Sequence, residues 1–471
     1  MTSQFSPSLS VGQALTTFDW AIFALVLIVT FVSVIYGQLK RKQKLTQEDH
    51  FLDLLIMGRK LTLPLFVGTL VATWYGGIFG VTRIAFESGI FNFITQGVFW
   101  YASYIIFAFF MVHKIAPYKA LTMPDLILKM FGPYSARLSA VFNFFNVLPI
   151  AYLISLGLFT QALFGGGLFT HMLLGLMVVL SYSSFGGLRA VVYSDLIQFF
   201  VMCFSVAMVL YASISTFGGL NFLQEKLPTS HFSLTGHHGL GATLVWGLIA
   251  LSTLVDPNFY QRCFAAKTPE TARKGILIST VIWCCFDICT TFGAMYARAT
   301  IPEADSAQAY LIYSIQLLPP GLRGLFLAGL LATILSTLDS YLFLAGTTLA
   351  YDLAPQKWRG RPWVHHLGVI LVGIIALAMA GLFEGNIKDV WKILGSYFAA
   401  CLLFPVVAGH LFPNKISDKS FVTSAILAAM TVTAWHVLPL SAPLSLVEPL
   451  YAGLVVSGLG LFLSSKLLRS A

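Results

Sequence analysis

The sequence contains few charged residues for its length. Only 10% of its 471 residues are Asp, Glu, Lys or Arg, whereas 57% are hydrophobic and the mean hydropathy is +0.82. A water-soluble domain of this size needs a more polar surface, so the composition predicts a polytopic membrane protein. The net charge of +9 would suit a nucleic-acid-binding protein, but the basic residues lie in loops between apolar segments. We therefore expect no nucleic-acid partner.

Cysteine is also scarce. The six cysteines fall in predicted helices or on the predicted cytoplasmic side, where thiols stay reduced: Cys203, Cys263, Cys284, Cys285, Cys289 and Cys401. None has a partner at metal-site spacing, so we predict neither a disulfide framework nor a thiolate metal site. The residues from Met1 to Thr17 include no Lys or Arg. A secretory signal carries such charges, so we expect the first helix to be an uncleaved anchor.

Long apolar runs are abundant instead. Runs of roughly 17 to 25 residues can cross a bilayer, and thirteen are recognisable, approximately at 18–38, 64–86, 93–113, 138–162, 168–184, 191–214, 241–258, 275–297, 321–348, 364–383, 388–410, 420–438 and 449–465. Of the 28 Lys and Arg residues, 22 lie in alternate loops. The first of these loops holds Lys40, Arg41, Lys42, Lys44, Arg59 and Lys60, and the last segment holds Lys466 and Arg469. The positive-inside rule makes these loops cytoplasmic, which places the N-terminus outside and the C-terminus inside, in the inner (plasma) membrane.

The second predicted helix contains a signal for interruption. Its segment ATWYGG ends in the pair Gly76–Gly77, and Gly80 follows, a composition that weakens a regular helix in mid-membrane. Close packing of helices through small residues is the alternative explanation. Interrupted helices in transporters free backbone carbonyls for cations near the substrate, so we predict an ion and substrate site around Ala72 to Gly77.

A second polar feature lies in the segment from Leu331 to Thr348. At 100° per residue, its side chains Thr333, Ser336, Thr337, Asp339 and Ser340 share about 160° of arc and form one polar face. Isolated hydroxyls in a membrane helix usually bond to their own backbone or join helices. Hydroxyls beside a carboxylate, however, are the oxygen ligands of hard cations, and they indicate a cation site.

Two further carboxylates lie in predicted membrane helices. Asp195 and Gln198 are three residues apart at a predicted cytoplasmic helix end, where a solvated carboxylate is the alternative to a functional one. Asp287 lies deep in another helix without a comparable polar cluster in the sequence. For Asp287, pairing with a neighbouring helix and a functional role stay open.

Three stretches together resemble the sodium:solute symporter family, which includes proline, pantothenate, sialic acid and sodium/glucose transporters. They are GGLRAVVYSDLIQ (Gly186 to Gln198), DPNFYQRCFAAKTPETARKG (Asp256 to Gly275) and LSTLDS (Leu335 to Ser340), with LLFPVVAGHLFP (Leu402 to Pro413) in support. The resemblance implies an all-α protein with a LeuT-like inverted repeat of five plus five helices. The implied units are an extra helix and loop at 1–63, the repeats at 64–214 and 215–410, and two accessory helices at 411–471.

The resemblance also implies the cofactor, Na⁺, and its ligands. The primary sodium site comprises the backbone carbonyls of Ala72 and Tyr75, together with Thr333, Ser336 and Thr337. Thr333 replaces the small residue of the family's A-x-x-S-[ST] pattern, and it can contribute its carbonyl or its hydroxyl. A second sodium site, present in part of the family, matches Asp195, Ser336, Asp339 and Ser340.

We expect the substrate to be a small molecule held by aromatic and amide side chains. The candidate lining residues are Thr73, Trp74, Gly76, Gly77, Arg83, Asn143, Asn146, Trp246, Ser252, Thr253 and Tyr397. Arg83 would attract a carboxylate, which favours an amino acid or small carboxylate. Alternatively, Arg83 and Glu87 neutralise each other at i and i+4.

The predicted function is sodium-coupled symport by alternating access, carried out by a monomer among membrane lipids. Proton coupling on the same fold is the first alternative. A transporter-like sensor is the second, but the signalling domain that we would expect after the last helix is absent from this sequence, which ends at Ala471. An enzyme is not expected, because His231, His237 and His238 lie in one loop without the partners that catalysis needs.

Overall fold

The computed structural model describes residues 5–6, 10–39, 47–183, 187–359, 361–439, 441 and 447–467. The first half of the chain forms α1 (Thr17–Leu39), α2 (Gln47–Ile56), α3 (Leu63–Ala72), α4 (Ile78–Ser88), α5 (Phe99–Ile106), α6 (Val112–Ile115), α7 (Met123–Met130), α8 (Pro133–Asn146), α9 (Ile150–Phe164), α10 (Leu168–Ser183) and α11 (Gly187–Phe217). The second half forms α12 (Leu220–Lys226), α13 (Gly239–Ala250), α14 (Pro257–Ala265), α15 (Pro269–Thr300), α16 (Ala309–Leu317), α17 (Leu322–Thr347), α18 (Pro362–Leu382), α19 (Ile387–Leu411), α20 (Asp418–Val437) and α21 (Pro449–Leu467).

The predicted all-helical membrane architecture is confirmed. Among the described residues, ten helical segments are long and apolar enough to cross a membrane. Shorter apolar helices lie at 63–72, 168–181 and 449–465, where three further crossings were predicted. The number thirteen therefore stays a prediction. Five of the basic residues behind the predicted orientation, Lys40, Arg41, Lys42, Lys44 and Arg469, lie outside the described residues, as does Gly186 of the first quoted stretch.

Three of the predicted spans are interrupted. The span 64–86 is divided between α3 and α4, as the Gly76–Gly77 pair predicted. The span 241–258 is divided as well, because α13 passes into a 3-10 turn at Leu251–Val255 and α14 begins only at Pro257. The span 138–162 breaks between α8 and α9 at Pro149, whose ring nitrogen has no hydrogen to donate. The breaks in the last two spans were not predicted from the sequence, because hydropathy does not register a local change of backbone. Both spans lie in apolar helical segments long enough to cross a membrane.

The centre of the molecule is α17. This helix is buried along nearly its whole length and packs against α1, α9, α11 and α18. By contrast, α1 leaves large apolar side chains exposed, such as Phe31 at 55%, as expected for a helix that faces lipid. The predicted polar face on α17 is therefore turned toward protein on every side, and its hydroxyls and carboxylate must find polar partners there.

Candidate ion and substrate site

The site begins where α3 stops. Thr73 leaves helical geometry after Ala72, and α4 begins at Ile78, so residues 73–77 cross the interior of the protein outside both helices. Two bonds close the last turn of α3: the Thr73 N–H donates to the Thr69 carbonyl and the Trp74 N–H to the Val71 carbonyl. The Ala72 carbonyl receives no such bond from its own helix and is left for another partner.

The hydroxyls of α17 supply that partner. Ser336 Oγ lies 2.7 Å and Thr337 Oγ1 3.4 Å from the Ala72 carbonyl oxygen. The same hydroxyls lie 3.2 Å and 3.0 Å from the Thr333 carbonyl one turn earlier. Two helices thus bring together four buried oxygen atoms, which is the donor chemistry of a hard cation. The Thr333 hydroxyl donates to Leu330 in its own helix, 2.6 Å away, so Thr333 contributes to this oxygen cluster through its carbonyl.

Gly76 allows the interruption to approach α17. A Cβ atom at Gly76 would lie 2.4 Å from Thr337 Cβ, closer than real side chains pack. The absence of a side chain therefore determines how near the segment from Thr73 to Gly77 can come to the α17 hydroxyls. Tyr75, the other predicted carbonyl ligand, belongs to this segment, and its buried hydroxyl donates to Asp287 on α15.

Asp195 lies on α11 beside the predicted second sodium position. It is fully buried, and its Oδ2 atom accepts from Thr69 at 2.5 Å and lies 3.4 Å from Thr73 Oγ1. The alternative of a solvated helix end is therefore wrong for this residue. Its other oxygen, Oδ1, is buried without a hydrogen-bond partner among the residues that the structure describes.

Arg262 of α14 reaches this same position. Its side chain is only 1% exposed, and Nη2 donates to Thr73 at 2.5 Å, to Thr69 at 3.1 Å and to Ser340 at 3.1 Å. Nη2 also lies 3.8 Å from Asp195 Oδ2. A guanidinium thus approaches Asp195 and Ser340, two of the four residues that the family resemblance assigned to a second sodium ion.

The four residues predicted for the second sodium site point in different directions. Ser340 joins Asp195 only through Thr73 and Arg262, since Ser340 Oγ lies 3.2 Å from Thr73 Oγ1. Ser336 is directed at the Ala72 carbonyl instead. Asp339 lines an apolar cavity shared with α1, α9 and α10. The family resemblance assigned all four to one site, and the second sodium site stays a prediction.

Asp287 pairs with neighbouring helices, one of the two roles left open for it. It is 2% exposed and accepts from two tyrosine hydroxyls, those of Tyr75 in the interruption and Tyr101 on α5. The ring of Tyr75 also lies against Phe286, with centroids 4.0 Å apart. Three segments are thus joined at one carboxylate, which anchors the interruption on the side away from α17.

A cavity lies beside the interruption. Five predicted substrate residues line it, namely Trp74, Gly77, Asn146, Trp246 and Ser252. The sequence reasoning missed several others, namely Tyr75, Gln96, Trp100, Tyr152, Asp256, Tyr341 and Trp391. Asp256 stands in a quoted family stretch and could have been noticed, whereas Trp100 and Trp391 come from distant helices with no local signal.

The remaining predicted substrate residues have other partners. Thr73 donates to the Thr69 carbonyl, Asn143 to Thr348 and Thr253 to the Ala250 carbonyl. The Tyr397 hydroxyl lies 2.9 Å from Thr433, and Gly76 contacts Thr337. Arg83 forms an ion pair with Glu87 at 2.9 Å, the alternative considered for it, and lines a separate pocket.

The fold and this site define a membrane transporter, and comparisons with known proteins agree. A sodium-coupled sialic acid symporter in a substrate-bound outward-open state matches with a TM-score of 0.75 over 96% of this chain and 97% of its own, at 15% identity. The nucleobase-cation-symport-1 family transporter Mhp1 matches with a TM-score of 0.52 over 86% and 93%, at 12% identity. These likenesses confirm the LeuT-like fold.

The sequence comparisons identify the family. Residues 55–429 match the model of the sodium:solute symporter family. The sodium/pantothenate symporter of Escherichia coli is 22% identical over 86% of this chain and 87% of its own length. The sodium/proline symporter of the same organism is 23% identical over 69% of each chain, and the sodium/glucose cotransporter of Vibrio parahaemolyticus is 25% identical over 68% and 67%.

The chain belongs to the sodium:solute symporter family. The predicted resemblance and the predicted class of function, a sodium:solute symporter rather than an enzyme, are confirmed by this membership. The chain is a multi-pass plasma membrane protein that carries small solutes.

Substituting Gly76 tests the close approach of the two helices. We expect Gly76→Ala to lower the apparent melting temperature of the purified protein and to reduce uptake, because the added Cβ would overlap Thr337 and overpacking costs about 1–3 kcal/mol. Gly241→Ala on α13 is the matched control, since nothing lies within 4 Å of its added Cβ. Equal stability and uptake in both variants would contradict the packing described above.

Proposed function

We propose that the chain transports a small organic solute together with sodium by alternating access. The observation that carries the proposal is the meeting of the Ala72 carbonyl with the hydroxyls of Ser336 and Thr337 beside the cavity that Trp74 lines. A sodium ion would be held there by these three oxygens and the carbonyls of Thr333 and Tyr75. Trp74, Gly77, Asn146, Trp246 and Ser252 would contact the solute.

Coupling follows from the position of the ion between two elements. The interruption after α3 and the hydroxyl face of α17 must part if the ion leaves inward, so sodium stabilises the arrangement in which they meet. Coupling requires this difference in affinity between two states and not tight binding alone. One charge crossing about 100 mV supplies roughly 2.3 kcal/mol, enough for about 50-fold accumulation of solute.

The orientation in the membrane belongs to the same proposal. We place the N-terminus outside and the C-terminus in the cytoplasm, on the basis of the basic loops. We also propose that the chain is divided into units at 1–63, 64–214, 215–410 and 411–471. The interruption in the first helix of each proposed repeat supports this division. We propose that the protein functions as a monomer. Proton coupling is the competing proposal, because carboxylates such as Asp195 and Asp287 lie inside the protein.

We propose further that Arg262 takes the place of a second sodium ion. Its guanidinium contacts the hydroxyls of Thr73 and Ser340 and lies near Asp195. A sodium ion at the same carboxylate would be repelled by this neighbouring positive charge at short range in a poorly screened interior. The competing proposal is the second sodium site of Asp195, Ser336, Asp339 and Ser340. It is supported by the Oδ1 atom of Asp195, which has no hydrogen-bond partner within the described part of the chain.

The first prediction concerns the coupling ion. In proteoliposomes, uptake of a transported solute should require external sodium and accelerate with an inside-negative potential, because each cycle carries positive charge inward. Uptake should be lost when potassium replaces sodium outside. Undiminished uptake without sodium under an inward proton gradient would contradict this proposal and favour proton coupling.

The second prediction concerns the hydroxyls. Ser336→Ala and Thr337→Ala should each raise the sodium concentration for half-maximal uptake about tenfold, since losing one ligand oxygen costs on the order of 1.4 kcal/mol. Thr431→Ala is the control, because Thr431 is half-buried on α20 and its hydroxyl donates to the Leu427 carbonyl of its own helix. Sodium dependence as in the native protein in both site variants would mean that these hydroxyls serve packing alone.

The third prediction concerns stoichiometry. Reversal potentials should give one sodium per solute in the native protein, and the same ratio in whatever Asp195→Asn and Asp339→Asn protein remains active, because Arg262 already supplies the second positive charge. A native ratio of two that falls to one in Asp195→Asn would overturn the role of Arg262 and establish the second sodium site.

A further inference from the structure

The cavity beside the interruption is lined by many aromatic side chains. Four tryptophans line it, Trp74, Trp100, Trp246 and Trp391, together with Tyr75, Tyr152 and Tyr341. Several of these rings meet edge to face: the Trp74 and Trp100 centroids are 5.1 Å apart at 71°, and those of Tyr152 and Tyr341 are 4.7 Å apart at 71°. The walls therefore offer aromatic faces, which carry partial negative charge.

One charged side chain belongs to the lining, and it is a carboxylate. Asp256 is 8% exposed, and the lining residues include no Lys, Arg or His. Its Oδ1 atom accepts from the backbone N–H groups of Asn258 at 2.8 Å and Phe259 at 3.3 Å. These bonds cap α14 and fix the carboxylate at the cavity wall, where the interruption between α13 and α14 places it.

The nearby cation is directed elsewhere. Arg262, one turn and a half along α14, donates to Asn258 and to the hydroxyls of Thr69, Thr73 and Ser340. No ion pair within 4.0 Å joins Asp256 to a basic side chain among the described residues. Asp256 is thus held at the cavity wall by backbone N–H groups and, among the described residues, without a basic side chain in direct contact. A cation bound in the cavity would be attracted to this carboxylate.

We propose that the substrate carries an organic ammonium group, which binds at Asp256 among Trp74, Trp100 and Trp246. Tryptophan faces attract ammonium groups more strongly than other rings do, and quaternary ammonium ligands are held in aromatic cages. A purely anionic solute would meet the negative charge of Asp256 without a basic partner in the cavity. The inference rests on the proposed function and names its substrate class, which includes amino acids and excludes simple carboxylates.

Matched pairs of probes test this assignment. Choline is compared with its carbon isostere 3,3-dimethylbutan-1-ol, and glycine betaine with 3,3-dimethylbutanoate, so that each pair differs only in the ammonium charge. Binding to the purified full-length protein is followed by tryptophan fluorescence and by thermal stabilisation, in sodium and in potassium buffer. Choline reports on a simple cation and betaine on a zwitterion.

At least one ammonium probe should bind about tenfold more tightly than its isostere. Asp256→Asn should abolish that preference, and it keeps the fold because Asn also caps helices well. Glu225→Gln on α12 is the matched control, outside the cavity lining, and should bind as the native protein does.

Three results would overturn the inference: tighter binding of the isosteres, an unchanged preference in Asp256→Asn, or no binding of either ammonium probe at millimolar concentration. Sodium-dependent binding in which each isostere binds at least as tightly as its ammonium counterpart would refute the ammonium assignment and leave symport standing. Ammonium probes that bind equally strongly in sodium and in potassium buffer would refute sodium coupling and leave the ammonium assignment standing.

Discussion

The arrangement of this protein depends on one backbone carbonyl that its own helix does not use. Where α3 ends, the oxygen of Ala72 turns to the hydroxyls of Ser336 and Thr337 on the central helix α17. An unpaired carbonyl inside a membrane costs several kcal/mol, so this contact is a condition for the interruption to exist at all. Gly76 allows the required approach, and Asp287 anchors Tyr75 on the opposite side. The same oxygens that satisfy the backbone are those that would hold sodium.

Buried charge is organised around the interruption. Asp195 and Arg262 lie on one side, held by Thr69, Thr73 and Ser340, and Asp287 lies on another, held by two tyrosines. Removing one partner of a buried charged pair leaves the other uncompensated, which is strongly destabilising. These groups therefore join α3, α11, α14, α15 and α17 through polar contacts, and an ion that alters one contact can affect the others. That connection offers a physical route from ion binding to movement of helices.

The sequence predicts the helices and the interruption well because both have local causes. Apolar length marks a membrane helix, the Gly76–Gly77 pair marks the break, and helical spacing places Ser336 and Thr337 on one face. Tertiary partners lie beyond such patterns. Arg262 stands in a stretch quoted for its family resemblance, yet its reach to Asp195 depends on how α14 leaves its interruption. The aromatic wall is assembled from Trp100 and Trp391 on separate helices, and no spacing rule connects them.

Equilibrium binding of radioactive sodium to the purified protein tests the central claim most directly. The account predicts saturable binding to the native protein that disappears when Ser336 and Thr337 are both replaced by alanine and persists in Thr431→Ala. It also predicts that potassium competes poorly. Native sodium affinity in the double variant, with a folded protein by thermal unfolding, would contradict the claim that the α17 hydroxyls and the Ala72 carbonyl form the cation site.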